Sequence, residues 1–411
     1  MYLPRVVDRE LDRLMADLPA VAIEGPKGVG KTASAMRRAV STIRLDRTEE
    51  LELLRADDAR MLRRAGPVLI DEWQRYPPVW DSVRRAVDDG AAPGSYLLTG
   101  SAIPAEAPAH SGAGRIVSLR MRPLSLAERN LEPPVVSFAD LLSGDRRAPT
   151  GESRLVLANY VEELLASGFP GIRSLASTVR TDQLDAYVDR LVTREFSEQG
   201  AVVRRPATLR AWLAAYAAAT ATTASYTSIL DAAATGIASK PAKTTTNAYR
   251  DVLHQLWLVD PVPGWLPTRR PLARLTQAPK HHLADPALAA TILGVDADGL
   301  MSDATLLGHL MESLITLSIR VYAQAAGARV HHLRTAGGEH EVDLIVERRD
   351  RRVLAIEVKL APPDDHDVRH LHWLRDQLGD DVVDAVVITT GRYAYRRPDG
   401  IAVVPAGLLG P

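Results

Sequence analysis

One stretch constrains this chain more than any other. Gly25-Pro-Lys-Gly-Val-Gly-Lys-Thr32 satisfies the pattern G-x-x-x-x-G-K-[ST] at every position. The apolar run Val21–Gly25 before it predicts a short strand, and a helix is predicted from about Lys31 to Val40. In that setting the glycines let successive backbone N–H groups turn inward around an anion. Lys31 would reach the β- and γ-phosphates as a point charge, and Thr32 would offer its hydroxyl to Mg²⁺. The helix points its positive end at the same phosphates. Only six of the 50 basic residues are lysine (Lys27, Lys31, Lys240, Lys243, Lys280 and Lys359), so a motif that demands lysine gains weight when it finds one. Gly25, Pro26, Lys27, Gly28, Val29, Gly30, Lys31 and Thr32 are the expected nucleotide contacts.

Such a loop needs an acidic partner at the end of another apolar strand. Val68-Leu-Ile-Asp-Glu72 supplies one: Asp71 would hold Mg²⁺ and Glu72 would polarise the attacking water. The next strand, Ser95–Ser101, ends in Thr99 and Ser101, candidates for positioning that water or sensing the γ-phosphate. Arg115, after a flexible Ile103–Gly114 loop, is a candidate charge-neutralising finger. Strands over 21–25, 41–46, 68–73, 95–101 and 115–122 alternate with helices over 31–40, 49–64 and 79–88, behind a leading amphipathic helix over 6–18. This rhythm predicts an α/β fold with a parallel, doubly wound sheet.

At 411 residues the chain has room for two to three domains. The pattern divides it into 1–132, a hinge with scattered Pro and Gly at 133–153, a helical part at 154–271, and a mixed part at 272–411. A net charge of -1 excludes a globally basic DNA-coating protein, and the absence of cysteine excludes thiol catalysis and Cys-ligated metals. Met1–Arg13 has no apolar h-region. Ala211–Leu230 has no charge, but it is mostly Ala, Ser and Thr, too weakly apolar for insertion; two short helices broken near 220–225 are expected. The expected location is cytoplasmic, with no membrane contact.

The C-terminal part holds a second constellation. Glu341-Val-Asp-Leu-Ile-Val-Glu347, a turn, and Val353-Leu-Ala-Ile-Glu-Val-Lys359 predict a hairpin. Glu357 and Lys359 share a strand face, and Asp343 can meet Glu357 across the ladder. Two carboxylates around a divalent cation plus a lysine is the arrangement for metal-assisted phosphodiester cleavage. His366 and His370 are expected one turn apart on a helix over 364–378, and the other histidine pairs and Trp73, Trp80 and Trp373 to be packing residues. Lys240, Lys243, the hydroxyl run 244–246 and a helix over 249–258 fit a winged helix-turn-helix or a plain three-helix connector equally.

Taken together these motifs, with Gly114-Arg115, Arg122-Pro-Leu-Ser-Leu-Ala-Glu128, Gly168-Phe-Pro-Gly171 and Gly308-His-Leu-Met-Glu312, resemble a bacterial and archaeal family of AAA-type P-loop ATPases. Its members carry a C-terminal DUF4143-type domain with a PD-(D/E)XK nuclease-like core. The resemblance implies ATP and Mg²⁺ as cofactors. It also implies that Glu312 joins Asp343, Glu357 and Lys359 in a site for Mg²⁺ or Mn²⁺. Ser313 stands where the family often has Asn, and Lys27 and Gly28 where it usually has Arg and Gln; none of these removes a ligand. Two functions are then expected to compete. One is an ATPase whose nucleotide state controls a DNA-binding or DNA-cleaving C-terminal half. The other is a toxin–antitoxin-like ATP switch that acts on a protein partner through a silent nuclease-like fold. Arg115 acting across subunits would require a homo-oligomer.

Overall fold

The computed structural model describes residues 2–104, 111–201, 203, 205–235, 241–267 and 278–411. Lys240, part of the Ile103–Gly114 loop and part of the Pro-rich 261–271 segment lie outside them.

Five parallel strands form the first sheet: β1 (Ala20–Glu24), β2 (Ser41–Arg44), β3 (Val68–Asp71), β4 (Tyr96–Gly100) and β5 (Ile116–Arg120). Their order is β2-β3-β4-β1-β5. The central strands are continuous apolar runs because both faces of a parallel sheet are covered. One face of the sheet buries Val21, Ile23, Leu69 and Leu97 under the helix Val6–Asp17; the other buries Ala22, Ile70 and Leu98 under Pro78–Asp88. This parallel α/β sheet is consistent with a P-loop NTPase fold. Two helices differ from expectation. The 49–64 helix divides into Thr48–Ala56 and Asp58–Leu62, because Asp57 leaves helical geometry and its side chain caps Arg60 N. The helix after the glycine loop stops at Met36.

The helical part runs from Leu157–Ala166 to Lys243–Gln255. Residues 211–230 span the helices Pro206–Ala218 and Tyr226–Ala234, and no helix among the described residues is long and apolar enough to cross a membrane. Between 154 and 267 the described residues form no extended strand, but just after Lys243–Gln255 the chain makes isolated antiparallel bridges, Val259 with Leu283 and Val262 with Lys280.

The expected hinge is tied down at two points. Its β6 (Val136–Ser137) pairs with the final strand, and β7 (Gly151–Glu152) adds to the second sheet. That sheet contains β8 (Arg329–Arg334), β9 (Glu341–Glu347), β10 (Val353–Lys359), β11 (Val382–Thr389), β12 (Tyr393–Arg396) and β13 (Ala402–Pro405), in the order β7-β12-β13-β11-β10-β9-β8. The final strand is β14 (Leu409–Gly410). A 22-residue helix, Ala304–Ala325, is buried along most of its length and joins the two halves. Ser318 Oγ and Tyr322 Oη accept from the backbone N–H groups of Leu126 and Ala127 at 3.1 Å each.

Candidate functional site

The glycine loop leaves the C-terminal end of β1, in the middle of the first sheet. At Gly25 a Cβ would stand 2.1 Å from the Met121 carbonyl, so no other residue fits. Gly30 takes φ 100°, a left-handed conformation that turns the chain into the helix beginning at Lys31. The Lys31 side chain is buried, and its Nζ donates to the carbonyls of Gly25 and Pro26 at 2.9 Å. Burial pushes its pKa down to about 8, against the raising effect of Glu72 and Asp71. Its hydrogen bonds run to carbonyl oxygens, and its compensating charges, Glu72 and Asp71, act without a direct ion pair.

Sheet order places β4 between β1 and β3, so Asp71 stands one strand beyond Thr99. Both hydroxyls turn to it: Thr32 Oγ1 donates to Asp71 Oδ1 at 2.7 Å and Thr99 Oγ1 to the same oxygen at 2.5 Å. Glu72 adopts φ 59°, an uncommon left-handed conformation for a non-glycine residue. Its carboxylate accepts from Ser101 Oγ at 2.7 Å and from Gln74 Nε2 at 2.5 Å. Gln74 was not singled out in the sequence; only the turn after β3 brings it here. Thr32, Asp71, Glu72, Thr99 and Ser101 therefore gather beside Lys31 at one sheet end. The oxygens of Thr32 and Asp71 fit Mg²⁺, a hard cation that prefers oxygen ligands.

A cavity of about 690 Å³ opens beside Lys27, Gly28 and Ser101. Phe169, Ile172 and Leu175 form apolar wall, and Arg75, Arg190 and Arg194 line it with charge. The helical part closes this cavity and also grips the loop. Lys27 Nζ pairs with Glu195 at 2.9 Å, and Tyr187 Oη donates to the Lys27 carbonyl at 3.2 Å. Glu195 ends a π-helical turn, Leu191–Glu195, whose wider winding swings it toward the loop.

Arg115 is elsewhere. It precedes β5, whose first residue pairs with Ala20 at the start of β1, so it lies at the opposite end of the sheet from the loop. Five residues of strand put roughly 16 Å between those ends. Its Nε donates to Asp88 at 2.8 Å. Action on the nucleotide of its own chain is excluded by this placement.

In the C-terminal sheet, the ladder pairs Ile356 with Leu344, and one further step sets Glu357 opposite Asp343. Glu312 arrives from the long helix. Asp343, Glu357 and Lys359 line one opening together with Glu341, His366 and Asp367, while Glu312 and Asp343 share a buried lysine. Lys280 Nζ lies 2.8 Å from Glu312, 3.1 Å from Asp343 and 3.4 Å from Glu341, with its side chain 1% exposed. Asp343 Oδ2 accepts from Val358 N at 2.9 Å. Glu357 pairs instead with Lys359 at 3.1 Å, and its Oε2 is buried with no hydrogen-bond partner among the described residues. Burial and then the Asp343 charge push Glu312 up to about 8 and raise Glu357 well above the usual carboxylate range. Burial alone would lower Lys280, but Glu312, Asp343 and Glu341 outweigh it and hold the ammonium above its ordinary value. Lys280 was missed as a site residue, although the rarity of lysine that favoured Lys31 and Lys359 pointed equally to it. His366 lies before the helix Arg369–Leu378, not on it, and His370 meets His340 at 3.4 Å.

A third buried ion cluster centres on Asp260. Its buried carboxylate accepts from Arg122 Nε at 2.7 Å and is paired with Arg320 at 2.9 Å and Arg120 at 3.3 Å. Although its burial opposes this, the three guanidiniums hold Asp260 far below the usual carboxylate range. Arg120 ends β5 beside the glycine loop, Arg122 lies two residues beyond it, and Arg320 lies two turns along the helix from Glu312.

Three stretches of the chain match described families. Residues 17–130 match an AAA domain, 157–299 a domain of unknown function (DUF8612), and 307–409 another domain of unknown function (DUF4143). No curated protein matches the sequence at a significant level. Among solved structures, the chain is similar to the Walker-type ATPase paby2304 of Pyrococcus abyssi at 15% identity and TM-score 0.39, over 69% of this chain and 94% of that one. It is also similar to the ORC2 protein of Aeropyrum pernix, solved as ADPNP–ADP complexes, at 15% identity and TM-score 0.27, over 76% and 93%. Likenesses this weak carry nothing about function.

Proposed function

We propose that this chain binds ATP with Mg²⁺ at the glycine loop, hydrolyses it, and uses its nucleotide state to control what the C-terminal half holds. The observation that carries this reading is the buried Lys31 ammonium, hydrogen-bonded to carbonyls, facing the oxygens of Thr32 and Asp71. Mg²⁺ bound there would neutralise charge on the β- and γ-phosphates. Lys31 would exchange its carbonyl partners for phosphate oxygens, and the Gly28–Lys31 backbone would donate to the same oxygens. Thr32 and Asp71 would hold the cation, with Thr99 fixing the Asp71 carboxylate. Glu72, oriented by Ser101 and Gln74, would take the proton from the attacking water. The Phe169 cavity has the size and apolar lining for a nucleobase. Lys31→Ala should abolish MgATP binding while Glu72→Gln keeps it and loses turnover; equal nucleotide binding by wild type and Lys31→Ala would overturn the assignment.

The division into 1–132, 154–271 and 272–411, with 133–153 strapped along the second sheet, is the domain organisation we favour, in a cytoplasmic protein. Asp260 and its three arginines would carry nucleotide state between the halves. A cleft of about 730 Å³ between the halves is lined by Arg122, Arg320, Arg329, Arg348, Arg349 and Arg351, with Glu347 the acidic residue among its lining. Such a cleft favours a polyanion, and hence the DNA-binding reading, over a protein partner. It adjoins Glu347, whereas the carboxylate cluster adjoins Glu341 at the other end of β9, roughly 20 Å away. DNA held in the cleft would lie away from the cluster, which favours binding without cleavage. A gel-shift titration with and without ATP tests this. Loss of DNA binding in Arg329→Ala/Arg349→Ala is expected, and unchanged binding would return the protein-partner reading to first place.

A further inference from the structure

The carboxylates expected to bind metal in the C-terminal half are met by lysines, Glu312 and Asp343 by Lys280 and Glu357 by Lys359. We propose that Lys280 is the resident cation of the Glu312–Glu341–Asp343 cluster, seated where a divalent ion would otherwise be shared, so that the C-terminal half works as a metal-free binding module.

Position comes first. Lys280 Nζ is within 3.4 Å of an oxygen on each of three carboxylates supplied by a helix and a strand far apart in sequence. An ion bound by these oxygens would have to sit where the nitrogen is. Burial and anchorage come second. The Lys280 side chain is 1% exposed, and its backbone pairs with Val262 in both directions at 2.9 Å. The next residue is held too, because His281 N donates to the Thr222 carbonyl and Ala221 N to the His281 carbonyl. Withdrawal of the ammonium would leave the carboxylates uncompensated in the interior, a strongly destabilising state.

Ligand count comes third. Asp343 spends Oδ1 on Lys280 and Oδ2 on Val358 N. Glu312 Oε1 is taken by Lys280, and Glu357 Oε1 by Lys359. Glu357 Oε2 remains buried without a partner among the described residues. Two ammonium groups, on Lys280 and Lys359, thus hold an oxygen of each of Glu312, Asp343 and Glu357, a poor start for Mg²⁺ or Mn²⁺, which need oxygen ligands and are repelled by neighbouring cations. The expected Mg²⁺ or Mn²⁺ at Glu312, Asp343 and Glu357 therefore does not fit the residues present. Nuclease ancestry and nuclease chemistry part here: the carboxylates remain, and a lysine does the neutralising that an ion would do.

This refines the DNA-binding reading above and is independent of the nucleotide site, so it is tested without nucleotide. Full-length wild type, Asp343→Asn, Lys280→Met and Lys280→Met/Asp343→Asn would be titrated with Mn²⁺ alone, followed by electron paramagnetic resonance and by melting temperature. Wild type and Asp343→Asn should bind the same amount of Mn²⁺. Lys280→Met should gain one site at least tenfold tighter than any in wild type and melt higher when Mn²⁺ is added, and the double variant should lose that gain. Should Lys280→Met fold only in the presence of Mn²⁺, the proposal is supported as well. A wild-type Mn²⁺ site that disappears in Asp343→Asn would overturn it, and so would a folded Lys280→Met that gains no site. If Lys280→Met folds under neither condition, the wild-type and Asp343→Asn comparison alone decides. A lost nucleotide site would appear only in the separate Lys31→Ala experiment, so the two failures are distinguishable.

Discussion

Lys31 makes a quantitative demand on how pH affects nucleotide affinity. In the ligand-free protein its ammonium is buried, and burial lowers its pKa to about 8. Bound phosphate favours the charged form, so the pKa returns upward in the complex. The sign follows: below pH 8 the lysine is already protonated and binding needs no proton, whereas above it binding must take one up. Affinity therefore falls as pH rises. With a free-state pKa of about 8, the apparent Kd should rise by a factor of about 2 at pH 8 and about 11 at pH 9. That is about tenfold between pH 7 and 9, ~1.4 kcal/mol. MgATP itself is fully ionised over this range and adds no slope. Calorimetry in two buffers of different ionisation enthalpy reads both quantities, the loss of affinity and a proton uptake approaching one per nucleotide at pH 9. Lys31→Arg, which stays charged throughout, should remove the slope whatever its absolute affinity. A wild-type Kd that is flat between pH 7 and 9, with no proton uptake, would refute the assignment of Lys31 as a buried cation reserved for phosphate.

Glu72→Gln should retain nucleotide affinity and lower turnover by about 10²-fold or more, since only proton acceptance from water is removed; single-turnover hydrolysis measures it. Asp260→Asn leaves three buried arginines without their shared anion and should lower stability by about 3–5 kcal/mol, read as an earlier denaturant midpoint; an unchanged midpoint would show that the hub holds nothing together. Gly168→Ala places a Cβ 2.8 Å from Pro123 Cβ and 2.9 Å from Leu124 N, and should cost about 1–3 kcal/mol by overpacking. Arg115→Ala should leave the nucleotide affinity of dilute protein within twofold, because Arg115 stands at the far end of its own sheet; a tenfold change at low concentration would contradict that placement.

Local signals carried much of this protein on their own. Gly25–Thr32 needs no tertiary context to be recognised, because its glycines, its lysine and its hydroxyl are adjacent in the chain and serve one anion. The apolar runs of β1, β3 and β4 are equally self-evident, since a strand buried on both faces has no alternative composition. The Asp343–Glu357 pairing was legible for the same reason: a short turn sets the register of a hairpin. Charge compensation was not legible, because it depends on which side chains meet after folding. Lys280 stands 32 residues from Glu312 and 63 from Asp343, and no spacing rule connects them. Asp260 finds Arg122 at a separation of 138 residues, and Glu195 reaches Lys27 across 168. Arg115 shows the converse: its place after a glycine-rich loop invited a role at the nucleotide, and strand direction then ruled out that role within its own chain. Sequence determined which groups could do chemistry, since reactivity resides in side chains. Only the tertiary structure decided which charges answer one another, because a buried ion is neutralised by whatever packing brings within a few ångströms of it.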